Sequence, residues 1–205
     1  MKTNYEEKML AMIENAPKGA KLLLHSCCAP CSSACLERLF RHFNITVFYY
    51  NPNIEREEEY EKRKAEQIRF LKETGYATVL DCEHDKAAFE EIAKGYEEEP
   101  ERGKRCYRCY KLRLDRTAKA AKEHGYDYFA TTLTLSPYKN AEWLNELGEQ
   151  AEKEYGVAYL FSDFKKKNGY RRSIELSKEY GLYRQDFCGC EFSRIATEKA
   201  RKEGK

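Results

Sequence analysis

The chain has no apolar run approaching the roughly 18 residues that a membrane-spanning helix needs, so no bilayer segment is expected. Its first 21 residues carry charges throughout and no hydrophobic stretch, which argues against a secretory signal and for a cytoplasmic location. No G-x-G-x-x-G follows a predicted strand and there is no Walker lysine motif. A cradle of backbone N–H groups for nucleotide phosphates is therefore not expected. A dominant charge is missing as well: 37 Lys and Arg against 35 Asp and Glu leave a net +2. Whole-molecule electrostatics give no reason to invoke a nucleic acid, and any basic surface has to be local. There is no internal repeat and no low-complexity segment.

What the chain does have is nine cysteines in 205 residues, a length that can bury the core of one α/β domain with a small appended lobe. In a reducing compartment clustered cysteines read as metal ligands or redox groups rather than as a disulfide framework. Seven of them cluster, as Cys27-Cys28-x-x-Cys31, Cys106-x-x-Cys109 and Cys188-x-Cys190. Cys35, one helical turn past Cys31, and Cys82, after an apolar strand, read as small core hydrophobes. The first cluster closes the run Leu22-Leu23-Leu24-His25-Ser26-Cys27-Cys28-Ala29-Pro30-Cys31, a hydrophobic strand that turns at once into a helix. Proline suits a first helical turn because its fixed φ is helical and its missing N–H would be unpaired there. Cys27 and Cys28 are thus expected at a helix N-terminus, where free N–H groups and the positive dipole end favour thiolate.

Strand and helix patterns alternate along the chain. Helices are expected over residues 5–15, 30–41, 56–74, 86–93, from the Cys106/Cys109 pair to near Gly125, and over 141–155. Strands are expected over 21–25, 45–50, 76–80, 127–132 and 158–161, with 133–138 as a loop. Five strands joined by helical crossovers predict a doubly wound, mostly parallel sheet of Rossmann-like α/β class over residues 1–162. Residues 163–205 are basic, aromatic and helical, and read as an extension completing one structural unit.

Ligands of such sheets collect outside the carboxyl ends of the strands. Cys27-Cys28, Asn51-Pro52-Asn53, Asp81 and Ser136-Pro137-Tyr138-Lys139 all fall on that edge. Polar residues at strand ends are ordinary; cysteines there are not. Thiolate donors leave mainly zinc and iron–sulfur. Structural zinc usually takes two Cys-x-x-Cys knuckles close in sequence, whereas Cys31 and Cys106 lie far apart. Four thiolates fit a 4Fe-4S cluster at least as well. Cys188-Gly189-Cys190 allows a small, strained and easily reduced disulfide ring, two sulfurs for a second metal, or a turn with idle thiols. Two local basic patches, Arg102, Lys104, Arg105, Arg108, Lys111, Arg113 and Arg116 around the Cys106/Cys109 pair and Lys165, Lys166, Lys167, Arg171 and Arg172 around Tyr170, could contact RNA or be solvated helix faces.

Five motifs carry a family resemblance: His25 to Ser32, Tyr50-Asn51-Pro52-Asn53-Ile54, Arg105-Cys106-Tyr107-Arg108-Cys109-Tyr110, Thr131 to Lys139, and Tyr183-Arg184-Gln185-Asp186-Phe187-Cys188-Gly189-Cys190. In this order they resemble the QueH family of epoxyqueuosine reductases. The resemblance implies reduction of the epoxide of epoxyqueuosine in tRNA to queuosine, and a fold similar to the HUP group of Rossmann-like domains. It implies that Cys27, Cys28, Cys106 and Cys109 hold a 4Fe-4S cluster, that Cys188 and Cys190 are a redox-active pair, and that Cys31 either ligates iron or supports the turn. Such a deoxygenation consumes two electrons and two protons and releases water, so an electron donor is a required partner. Asp81, Tyr138, Lys139 and the Cys188 and Cys190 thiols are candidate proton donors or ligands of a second, mononuclear iron. Two other readings remain at this stage: an ATP-using iron–sulfur enzyme that thiolates tRNA, and a zinc-stabilised RNA-binding module without catalysis.

Overall fold

In the computed structural model, which describes residues 3–203, strands and helices alternate from the first turn onward. The chain runs α1 (Tyr5–Asn15), β1 (Lys21–His25), α2 (Ala29–Leu39), β2 (Asn44–Phe48), α3 (Glu57–Thr74), β3 (Thr78–Leu80), α4 (Lys86–Ala93) and α5 (Lys104–Glu123). It continues with β4 (Tyr128–Thr131), a 3-10 turn (Thr132–Leu135), α6 (Ala141–Tyr155), β5 (Ala158–Tyr159), α7 (Gly169–Glu179) and α8 (Glu191–Lys202). The strands form one sheet in the order β3-β2-β1-β4-β5. Every neighbouring pair is parallel, so the sheet is wholly rather than mostly parallel.

Central β1 explains the rest. Leu22, Leu23 and Leu24 are all fully buried because both faces of a parallel sheet are covered by helices, which is why the strand reads as a continuous apolar run. Leu22 and Leu24 enter a core with Met9, Leu36, Phe70 and Leu176 from α1, α2, α3 and α7. Leu23 enters the opposite core with Leu114, Ala118 and Leu147 from α5 and α6. Cys35 is buried in the first core, its thiol donating to the Cys31 carbonyl at 3.3 Å, as a small hydrophobe would.

The outer strands are shorter than the pattern suggests. β3 begins at Thr78 rather than at Tyr76, whose ring instead stacks on Phe40 at 4.5 Å between centroids. β5 has two residues, although Leu160 N–H still donates to the Phe129 carbonyl at 2.9 Å. Among the described residues no helix is long and apolar enough to cross a membrane.

Strand order reverses beside β1: the chain winds outward to β2 and β3, then returns across β1 to β4 and β5. The carboxyl ends of β1 and β4 therefore open a crevice between diverging connections, where open α/β sheets bind ligands.

Candidate active site

The turn leaving β1 fills that crevice with sulfur. Cys27, Cys28 and Cys31 bring their Sγ atoms within 4.8 Å of one another, and Cys27 and Cys28 are 3.7 Å apart. Cys28 sits as the extended N-cap of α2 with Pro30 in the first turn, as the sequence predicts. Hydrogen bonds from Cys28 and Cys31, assisted by the Arg113 and Lys139 charges, hold Cys27 well below the usual thiol range. The same interaction with Cys27 pushes Cys28 up to about 12 and Cys31 well upward.

Buried polar side chains fix this turn. Gln67 Oε1 on α3 accepts from Ser26 Oγ at 2.7 Å and from Ser32 Oγ at 2.9 Å. Asn51 Nδ2 donates to the Ser26 carbonyl at 2.8 Å. His25 is fully buried, 2.9 Å from Thr131 Oγ1, and burial followed by the nearby Arg113 lowers its pKa to about 3, so the ring is neutral. Beneath the sulfurs lies Arg113 of α5, only 1% exposed. Its guanidinium donates to Asn51 Oδ1 at 2.6 Å and to His25 Nε2 at 3.2 Å. Burial opposes its charge, but Cys109, Cys27 and Cys188 outweigh that and raise its pKa. A cation at this depth persists only where anionic groups surround it.

Cys106 and Cys109 occupy the first turns of α5 and are not part of the 4.8 Å group. Cys106 Sγ accepts from the Arg102 backbone N–H at 3.3 Å. Cys109 is buried with Cys190, Phe89 and Ala93, and burial pushes its thiol up to about 11. Cys188 reaches the crevice from the opposite end of the chain, while Cys190 is buried beside Cys109. Arg63, 2% exposed on α3, donates to the carbonyls of Cys188 at 3.1 Å and Phe187 at 3.4 Å. Cys188 N–H donates to Ser193 Oγ at 2.9 Å. Both cysteines are free thiols, as are the other seven, so no disulfide joins the pair in this structure.

Gly189 takes a φ of 116°, and a Cβ there would lie 2.9 Å from Ile54 Cγ1 and 3.2 Å from Arg63 Nη1. Gly189→Ala should therefore cost about 1–3 kcal/mol. A lowered urea midpoint would be the measure, and an unchanged one would contradict it.

Of the residues singled out on the strand edge, Lys139 and Tyr138 reach the site and Asp81 does not. Lys139 Nζ is 3.5 Å from Cys188 Sγ. Burial alone would lower its pKa, but the Cys188, Tyr110 and Cys27 charges prevail and it stays an ammonium. Tyr138 is 60% exposed at the rim, with the Arg102 guanidinium 5.4 Å from its ring centroid. The Asp81 carboxylate pairs with Lys64 at 2.6 Å, its side chain 74% exposed, and lines no part of the crevice. The physical reason is that Asp81 follows the outermost strand, two strands from the reversal point.

The first basic patch also resolves differently. Arg113 is internal, and Arg105, 4% exposed, donates to the carbonyls of Tyr96, Glu97 and Glu99, organising the loop before α5. In the second, Lys165 pairs with Asp163, Arg171 with Glu175 and Arg172 with Glu37.

Together these residues wall a cleft of about 450 Å³ lined by Cys27, Cys31, Arg113, Tyr138, Lys139 and Cys188, with Tyr170, Arg184 and Gln185 closing the far side. The sequence reading had not put Arg63 or Gln185 in a site, and had Arg113 only in a basic patch that could contact RNA or be a solvated helix face. Gln185 alone left a signal, by its place in the run that ends in Cys188-Gly189-Cys190.

Fold and site define a Rossmann-like α/β protein with a cysteine-walled cleft at the sheet's reversal point. Residues 22–196 match the family model described as epoxyqueuosine reductase QueH. The chain is 44% identical over 204 residues to "Epoxyqueuosine reductase QueH" of Staphylococcus epidermidis, covering 95% of this chain and 86% of that protein. It is 36% identical over 188 residues to the protein of the same name from Thermotoga maritima, covering 89% and 94%. The chain belongs to the QueH family of epoxyqueuosine reductases.

Proposed function

We propose that this protein reduces the epoxide of epoxyqueuosine in tRNA to the alkene of queuosine, releasing water. One observation supports the reading most: a single cleft, at the sheet's reversal point, is walled by the β1 thiols, by Cys188 and by the Lys139 ammonium. Residues 22–196 match the model of a family named for this reaction. The absence of a glycine-rich phosphate loop favours it over an ATP-dependent thiolation. A binding module held together by zinc would have no use for an ammonium set against Cys188.

The donor set is sulfur throughout, three Sγ atoms already gathered within 4.8 Å, Cys106 of α5 packed against the same core and Cys109 in a smaller cluster beside Cys190, which suits an iron–sulfur group. In this reading Cys27, Cys28, Cys106 and Cys109 hold a 4Fe-4S cluster, Cys31 ligates iron or supports the turn, and a second, mononuclear iron is a further expectation. When bound, the cluster would supply electrons singly, and a second iron with an open position would polarise the C–O bond.

The chain's own residues do the rest. Lys139 keeps its proton and stands where it can stabilise a Cys188 thiolate or donate a hydrogen bond to the departing oxygen. Cys188 and Cys190, released from one another as thiols, can give two electrons and two protons by closing into a disulfide. Arg113 balances the sulfur charge from below. Tyr138, exposed at the rim with Arg102 over its ring, offers an aromatic face to a nucleobase from a single-stranded loop. Residues 1–162 form the Rossmann-like part in this scheme, and 163–205 complete the site. An external electron donor resets the protein.

Protein purified without oxygen should contain acid-labile sulfide and about four irons or more per chain. With reductant, it should remove one oxygen from epoxyqueuosine-bearing tRNA, read by mass spectrometry of the digested nucleosides. Zinc without sulfide, and no loss of oxygen, would overturn the reading.

A further inference from the structure

Gln185 makes a contact that the scheme above leaves unused. It lies in the segment between α7 and α8, in the wall of the cleft, and its Nε2 is 2.8 Å from Cys28 Sγ. The two residues are far apart in the chain, so this contact ties the closing segment to the first cysteine turn. A sulfur that binds metal has no proton to give and can only accept, which fixes the amide with its N–H toward Cys28. The other end of the amide, Oε1, is then buried with no partner among the described residues. A buried acceptor left in a cleft wall calls for a donor.

We infer that Gln185 couples the substrate to the metal group. Its N–H donates to the Cys28 sulfur, while its Oε1 accepts an O–H or N–H of the bound nucleoside. This rests on the proposed function in taking Cys28 as a cluster ligand and the cleft as the nucleoside's place. Hydrogen bonds to cluster sulfurs raise the reduction potential, because they stabilise the more negative reduced state. An amide whose oxygen accepts a hydrogen bond is polarised and donates more strongly from its nitrogen. Substrate in the cleft therefore strengthens the N–H···S bond and makes the cluster easier to reduce. By reciprocity, the reduced protein binds substrate more tightly than the oxidised one. Electrons are thereby drawn to the site when the cleft is occupied.

The test is the midpoint potential of the anaerobic holoprotein, by spectroelectrochemistry, with and without epoxyqueuosine-bearing tRNA. Native protein should shift upward when tRNA binds. Gln185→Met keeps the volume and removes both hydrogen-bonding ends. It should retain iron and sulfide and lower the free-protein reduction equilibrium about tenfold, about 59 mV for one electron. It should also lose the tRNA-induced shift and raise the KM for tRNA several-fold. Gln185→Glu, with a charge against sulfur, should lie at or below the Met variant. The inference is overturned if native protein has one potential with and without tRNA, or if both variants keep the native potential while only melting earlier, the mark of a mere tether. Native protein that lacks sulfide and does not turn over would instead defeat the functional reading itself.

Discussion

Cys188→Ser should lower turnover by more than about a thousandfold, within the range that a positioned proton-transfer group contributes, while leaving the iron–sulfur absorbance intact. Serine fills nearly the same space beside Lys139 and leaves the backbone N–H bond to Ser193 untouched. It cannot cycle between thiol and disulfide, so an electron pair is lost from the site without a loss of structure. Cys190→Ser should behave alike. Cys106→Ser, at the start of α5, should lose absorbance and turnover together. Anaerobic spectra and single-turnover assays on the three variants separate the roles. Native turnover in either Cys188→Ser or Cys190→Ser would remove the pair from the chemistry.

Arg113→Met should destabilise the protein by about 3–5 kcal/mol, the cost of breaking a buried charge network by removing one partner. For a chain of this size that is on the order of 10 °C in melting temperature. The substitution leaves Asn51 Oδ1 without its 2.6 Å donor and withdraws the cation facing Cys27, Cys109 and Cys188. Because those sulfurs would then carry uncompensated charge, metal content should fall as well. Arg113→Lys keeps the charge but cannot bond both Asn51 and His25, and should fall between. The check is a thermal melt paired with iron analysis; two unchanged values in Arg113→Met would mean that the guanidinium is a passive filler.

The centre of the fold was readable because each part states its own cause. Three consecutive leucines can be buried only between two helical layers, and a proline two residues after paired cysteines marks the first turn of a helix there. Cysteine spacing pointed to the turn after β1, where three Sγ atoms gather at a helix start. The strand-end rule was less discriminating. It put Asp81 on the correct edge of the sheet but is blind to how many strands separate a residue from the reversal point. Arg113 was read as part of a basic patch because α5 is rich in Lys and Arg; its burial is set by His25, Asn51, the Cys109 sulfur of its own helix and the Cys27 and Cys188 sulfurs of two other segments. Gln185 and Arg63 depend on contacts that span more than half the chain, which no local pattern encodes.

That span also sets an order of events at the ribosome. The thiols of residues 27–31 and 106–109 are synthesised well before Cys188 and the Arg194 that anchors its helix to Glu55 at 2.9 Å. At about 5–20 residues per second, the stretch from Cys109 to Arg194 takes roughly 4 to 17 s to synthesise. For that interval the nascent chain carries five of its site sulfurs without the segment that covers them. A chain that stalls or is cut in this stretch keeps reactive thiols and gains no reductase, so oxidants threaten the newborn protein more than the finished one.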